Sequence, residues 1–167
     1  MDKGPEPKID DLPPCLIHID KEGKWYHQGA EIIHPGFVQF FFEHMELDDK
    51  GRYVINWNGQ RCYIEVEDTA YVVRQVDFSG GNGKEERAIL HLSDGSTEAL
   101  APETLFIGKE DVLYCQVKNG TFPARFLRPA YYQLAEKIME EGGSFYLLLQ
   151  GKKYPIKPSR DKSGPVS

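Results

Sequence analysis

The apolar and polar positions of this chain alternate in short runs, and two of those runs break into a helical period. Lys24 to Asp68 reads as strand, turn, strand, helix, strand, turn, strand. Before it, Cys15 to Ile19 alternates weakly as a strand, and Lys21-Glu22-Gly23 turns it back into Lys24 to Gln28. Pro35 holds His34 extended and suits the first turn of a helix, since its φ is preset and its missing N–H is not needed there. That helix is predicted to run to about Glu46. Phe37, Val38, Phe40, Phe41, Phe42 and Met45 cover roughly 200° of it at about 100° per residue. An arc so wide predicts packing against its own sheet and against a second surface, for which the second half of the chain is the candidate.

The same plan recurs from Val112 to Ile156. Turn glycines (Gly29, Gly120), a basic residue before proline (His34-Pro35, Arg128-Pro129) and hairpin glycines (Gly59, Gly151) repeat in order, separated by 91, 94 and 92 residues. A period of that size predicts a duplicated unit rather than a solenoid. The second helix is predicted over Pro129 to Glu141, stopped by Gly142-Gly143. Further strands are predicted at Arg52–Trp57, Gln60–Val66, Thr69–Phe78, Arg87–Leu92, Thr97–Leu100, Phe122–Leu127, Phe145–Leu149 and Lys152–Ile156. Asn58-Gly59 is a strong two-residue hairpin signal because both positions tolerate positive φ. Ser79 to Glu86 reads as a flexible exposed loop.

These elements predict an α+β fold of two ββαββ-like units with largely antiparallel sheets. The expected organisation is a loose arm over residues 1–14, a first unit over 15–68, and a second over 69–156 that includes a hairpin insert. A disordered polar tail is expected over 157–167.

Composition narrows the class. With 40% hydrophobic and 12% aromatic residues the 167-residue chain has the makings of packed cores. A net charge of −6 argues against an extended nucleic-acid surface, which needs a basic face. No apolar run approaches the roughly 18 residues of a spanning helix. The acidic, proline-rich start lacks the apolar core of a signal peptide. Cys15, Cys62 and Cys115 are odd in number and far apart, which predicts buried, reduced thiols and a cytoplasmic protein.

The candidate chemistry is sparse. His34 and Arg128 each precede a proline at a helix start, where free N–H groups and the helix dipole favour anions. Arg125 lies three residues before Arg128. Together they suggest a cleft between the halves in which arginine forks hold a phosphate or carboxylate, with Tyr131 or Trp25 packed on the ligand's flat part. The structural alternative places His34 and the arginines at exposed strand ends, or pairs an arginine with Glu67 or Asp68 in an inter-domain ion pair. Glu65 and Glu67 share a strand face and offer an acid–base or metal pair, or a structural ion pair with Arg125 or Arg128. The sequence has no H-E-x-x-H, C-x-x-C, G-x-S-x-G or complete phosphate-loop spacing. No catalytic residue, metal or cofactor is therefore assigned.

Asp20, Gly23, Trp25, Gly29, Ile32, Phe40, Gly51-Arg52-Tyr53 and Ile64-Glu65-Val66-Glu67-Asp68 resemble a bacterial family, domain of unknown function 1285. In the second half Ala124-Arg125, Arg128 and Tyr131-Tyr132-Gln133-Leu134 do so as well. The resemblance covers about Cys15 to Ile138. It implies a duplicated α+β fold, a second half loosely like a pleckstrin-homology domain, and a cleft for a nucleotide-like ligand in signalling. The function expected is a non-enzymatic ligand-binding or regulatory module for a small anionic ligand. The alternative is a protein-interaction module with no small ligand.

Overall fold

The computed structural model describes residues 12–81 and 84–158, with Lys84 described by its backbone alone. Residues 1–11 of the expected arm and 159–167 of the expected tail lie outside the described residues. The chain divides into two compact units, one ending at Asp68 and the other beginning at Thr69.

In unit 1, strands β1 (Pro14–Ile19), β2 (Trp25–His27) and β3 (Ala30–Glu31) lead into helix α1 (Pro35–Glu43). Strands β4 (Met45–Leu47), β5 (Tyr53–Trp57) and β6 (Gln60–Val66) follow it. They form one sheet in the order β3-β2-β1-β6-β5-β4. All neighbours are antiparallel except β1 and β6, which are parallel. Asn58 and Gly59 both take positive φ, 54° and 78°, and set Trp57 opposite Gln60. The Asp20 carboxylate organises the β1–β2 turn by accepting the N–H groups of Glu22 and Lys24, each at 2.9 Å. Ile17, Ile19, Trp25, Phe42, Met45, Val54, Ile55 and Ile64 make the core. The helix is seated on the sheet by Trp25, whose ring stacks on Phe41 at 5.8 Å and meets Phe42 edge-on at 4.9 Å.

Unit 2 opens with a long hairpin, β7 (Tyr71–Gly81) and β8 (Lys84–Leu92), followed by β9 (Thr97–Ala99). Two single 3-10 turns flank β10 (Phe106–Ile107). Then come β11 (Leu113–Val117), β12 (Phe122–Phe126), helix α2 (Arg128–Ala135), β13 (Ile138–Glu141), β14 (Ser144–Leu149) and β15 (Lys152–Pro158). The sheet order is β13-β14-β15-β10-β11-β12-β7-β8-β9, with β10–β15 and β12–β7 parallel. Thr69 locks the start of β7 to β12: its hydroxyl donates to the Tyr71 carbonyl at 2.6 Å and accepts the Arg125 N–H at 3.2 Å. Helix α2 buries Ala130 and Leu134, and Gln133 accepts the Val76 N–H at 2.7 Å.

The α+β class read from the sequence is the observed one. Both helices are shorter than predicted, ending at Glu43 and Ala135. The residues that extended the helical pattern instead pair as strands, Met45 with Ile55 and Ile138 with Leu147. An apolar side chain after a helix satisfies a helical stripe and a strand face equally, so the period could not separate them. Gly142-Gly143 turns the β13–β14 hairpin, with φ of 59° and 85°, rather than ending the helix. Most of the predicted loop at Ser79 to Glu86 belongs to the β7–β8 hairpin, paired out to Gly81 and Lys84. Lys157 and Pro158, expected in the tail, complete β15.

Candidate functional site

The concave feature of unit 1 lies where α1 covers the sheet. Phe37 and Phe41, one turn apart on α1, form one wall. Ile32 comes from the segment between β3 and α1, Cys15 and Ile17 from β1, His27 from β2, Ile55 from β5 and Cys62 from β6. The cavity holds about 400 Å³, within the range of small-molecule sites. Among the described residues His27 is the only titratable side chain lining it and is exposed, opposite Ile17 in the β1–β2 ladder. Phe37 remains 60% exposed although it sits on the predicted apolar arc, so its ring is available at the cavity rather than spent in the core.

Cys15 and Cys62 are joined in a disulfide, their Cα atoms 5.1 Å apart. This overturns the expectation of three reduced thiols. The two cysteines are 47 residues apart in the chain, but the parallel pairing of β1 with β6 makes them neighbours. Cys115 is free and buried in β11, where desolvation pushes its thiol far above the ordinary range.

A second cavity, about 230 Å³, is lined by Pro14, Leu16, Ile17, His18, Gln28, Gly29, Tyr63 and Glu65. Here Glu65 stands opposite His18 across β1 and β6. Its strand neighbour Glu67 is engaged elsewhere, accepting the Lys21 N–H at 3.1 Å, and Asp68 is half-buried at the end of unit 1.

The residues proposed from sequence fall into two groups. Arg128 is exposed at the first turn of α2, and Tyr131, one turn on, is 40% exposed. They share one face of unit 2, with the Tyr132 ring 5.6 Å from that of Tyr131. Arg125 is half-buried on β12 just before them. In unit 1, Trp25 is 2% exposed and belongs to the core, which corrects its assignment as a stacking platform. His34 is exposed, but its Nδ1 accepts the Gly36 N–H at 3.0 Å, so its ring occupies a donor that an anion would need. None of the five lines the larger cavity. Sequence reasoning missed Phe37, Phe41, His27 and the two cysteines as a group. They lie on four different elements, and the available signal was the surplus width of the α1 apolar arc.

Among the described residues no three His, Cys, Asp or Glu side chains are grouped to hold a metal ion, and no helix is long and apolar enough to cross a membrane. The fold thus defines an α+β protein of two sheet-and-helix units, the first bearing an apolar cavity. No family model and no curated protein matches the sequence. Two solved structures do share its fold. A DUF1285 family protein from Silicibacter pomeroyi DSS-3 superposes with a TM-score of 0.71 at 22% identity, over 93% of this chain and 89% of that one. A DUF1285 family protein from Shewanella baltica OS155 gives a TM-score of 0.59 at 17% identity, over 72% of this chain and 91% of that one. The chain therefore has the fold of DUF1285 family proteins, the family its sequence resembles.

Proposed function

We propose that this chain is a non-enzymatic binding module whose ligand occupies the cavity of unit 1. The observation that carries the reading is the lining: two phenylalanines, three isoleucines and a disulfide around about 400 Å³, with one imidazole at the edge. Burying an apolar ligand there gains the usual roughly 25 cal/mol per Å² of apolar surface removed from water. The chemistry favours a small molecule with an apolar body and an anionic group, the latter meeting His27. A nucleotide-like anion gripped by Arg125 and Arg128 draws its support from the exposed Arg128–Tyr131 face alone. The role in signalling and the pleckstrin-homology likeness of the second half rest on the sequence resemblance. Duplication is supported by the strand orders: β4-β5-β6-β1-β2-β3 in unit 1 and β13-β14-β15-β10-β11-β12 in unit 2, each with its helix between corresponding strands.

The experiment is a thermal-shift screen with small aromatic and alkyl carboxylates, on the native protein and on Ile32→Trp, which places an indole in the cavity mouth. A ligand that binds only the folded state raises the melting temperature with concentration. The reading expects such a rise, lost in Ile32→Trp. An equal rise in both proteins, or none in either, overturns it.

A second reading, a surface for a protein partner, is favoured by the exposure of Ile33 (82%), Phe37 (60%) and Trp57 (50%) in unit 1. Single exposed apolar residues are ordinary on protein surfaces, so three of them support it less than a cavity supports a ligand.

A further inference from the structure

Resting on the reading of the unit 1 cavity as a ligand site, we infer that the Cys15–Cys62 disulfide is a redox gate for it: oxidised, the cavity wall is held and the site binds; reduced, the wall loosens and the site releases.

The sheet of unit 1 has a defect at this point. Along the parallel pair β1–β6, Pro14 stands opposite Tyr63 and the next registered pair is His18 with Glu65. Four steps along β1 therefore match two along β6, and the ladder is interrupted between them. Within the interruption Leu16 takes a φ of 67°, a left-handed conformation that a branched side chain rarely adopts. Its carbonyl accepts the Gln28 N–H at 3.0 Å, toward β2 rather than β6. The Cys15–Cys62 disulfide joins the two strands at the edge of this gap, beside the Tyr63 N–H, which donates to the Pro13 carbonyl at 3.0 Å. Its Cys15 end is the first residue of the interrupted stretch of β1, so the crosslink ties the start of the bulge to β6.

The same gap is a wall of the cavity. Cys15 and Ile17 from the bulged strand and Cys62 from its neighbour all line the site. Both cysteines are half-buried and face a cavity open to solvent, so a small thiol can reach them. Cys115 is fully buried and has no disulfide partner, so it takes no part. The chemistry is ordinary exchange with a dithiol reductant. A reductant thiolate attacks one protein sulfur and displaces the other as a thiolate. The second reductant thiol then closes on the mixed disulfide. The protein S–S bond is broken, the reductant leaves as its cyclic disulfide, and its two protons end on Cys15 and Cys62.

The test uses the native chain and 8-anilinonaphthalene-1-sulfonate, a probe with an apolar body and one anionic group. Its Kd is measured by fluorescence titration before and after dithiothreitol, and again after reoxidation. We expect a rise of about tenfold on reduction, reversed on reoxidation. Ile32→Trp in the oxidised state separates the two inferences. If it leaves probe binding unchanged, the cavity reading fails. If it blocks binding while reduction leaves Kd unchanged, the gate is overturned and the cavity stands. Cys15→Ser/Cys62→Ser should bind like the reduced protein and ignore dithiothreitol. Should that variant not fold, linkage decides on the native chain: saturating probe must raise the dithiothreitol concentration for half-reduction by the factor seen in Kd. Identical reduction curves with and without probe overturn the gate.

Discussion

The Nδ1 of His34 accepts the backbone N–H of Gly36 at 3.0 Å, and the imidazole leans on Phe37 with ring centroids 5.0 Å apart. The histidine is thus the N-cap of α1, the helix that carries one wall of the cavity. A side-chain acceptor at this position satisfies one of the first-turn donors that the helix leaves open. His34→Ala is expected to cost about 0.5–2 kcal/mol in chemical denaturation, and His34→Asn, which keeps an acceptor, only part of that. Equal stability of the alanine variant and the native protein would show the cap to be incidental.

Trp25 joins the helix to the sheet through Phe41 and Phe42, yet its Nε1–H is buried without a hydrogen-bond partner among the described residues. The two roles oppose each other: the ring's packing stabilises, while an unsatisfied N–H costs on the order of 1–3 kcal/mol. Trp25→Ala should therefore lose about 3–5 kcal/mol. Trp25→Phe, which removes the N–H and keeps an aromatic ring, should lose less than the alanine variant, because the cavity left is smaller and no unsatisfied donor remains. Urea unfolding of both variants checks the ordering.

Asp94 and Lys118 tie the β8–β9 turn to the β11–β12 turn in unit 2, Nζ to Oδ2 at 2.8 Å. Burial by itself would raise the Asp94 carboxyl. The Lys118 ammonium and the hydroxyl and N–H of Ser96 outweigh it and hold the group below its ordinary value. A carboxyl lowered by folding contributes stability above its unfolded value of about 3.9, and that contribution is lost as pH falls through the folded value. Asp94→Asn should thus be less stable than the native protein at neutral pH, with the gap narrowing below about pH 4. Thermal melts from pH 7 to 3 test this, and a constant gap would remove the linkage.

The disulfide closes a loop of 47 residues within unit 1. A crosslink of that span limits the unfolded chain, and its removal is expected to cost about 2–4 kcal/mol. Denaturation of Cys15→Ser/Cys62→Ser, monitored by a probe in unit 1, checks the size. Cys115→Ala, which changes a buried thiol but no crosslink, is the comparison.

Much of the local architecture is legible in the order of the residues. Asn58-Gly59 turns a hairpin because both residues accept positive φ, and Pro35 starts a helix because its ring presets the backbone there. Such chemistry belongs to the residue itself and travels with it. The strands around these signals, the α+β class and the place of Arg128 at a helix start follow from the same local rules. The helix ends are not legible in this way, since Met45, Ile138 and Met139 suit a helical stripe and a strand face alike. Trp25, expected on the flat part of a ligand, is assigned to the core only once Phe41 and Phe42 are placed against it. The cavity and its disulfide depend on β1 lying beside β6, a pairing between segments more than forty residues apart. No local preference encodes that neighbour. It is decided when the unit buries its apolar faces, because only then do the strands, and the side chains that end up between them, acquire partners.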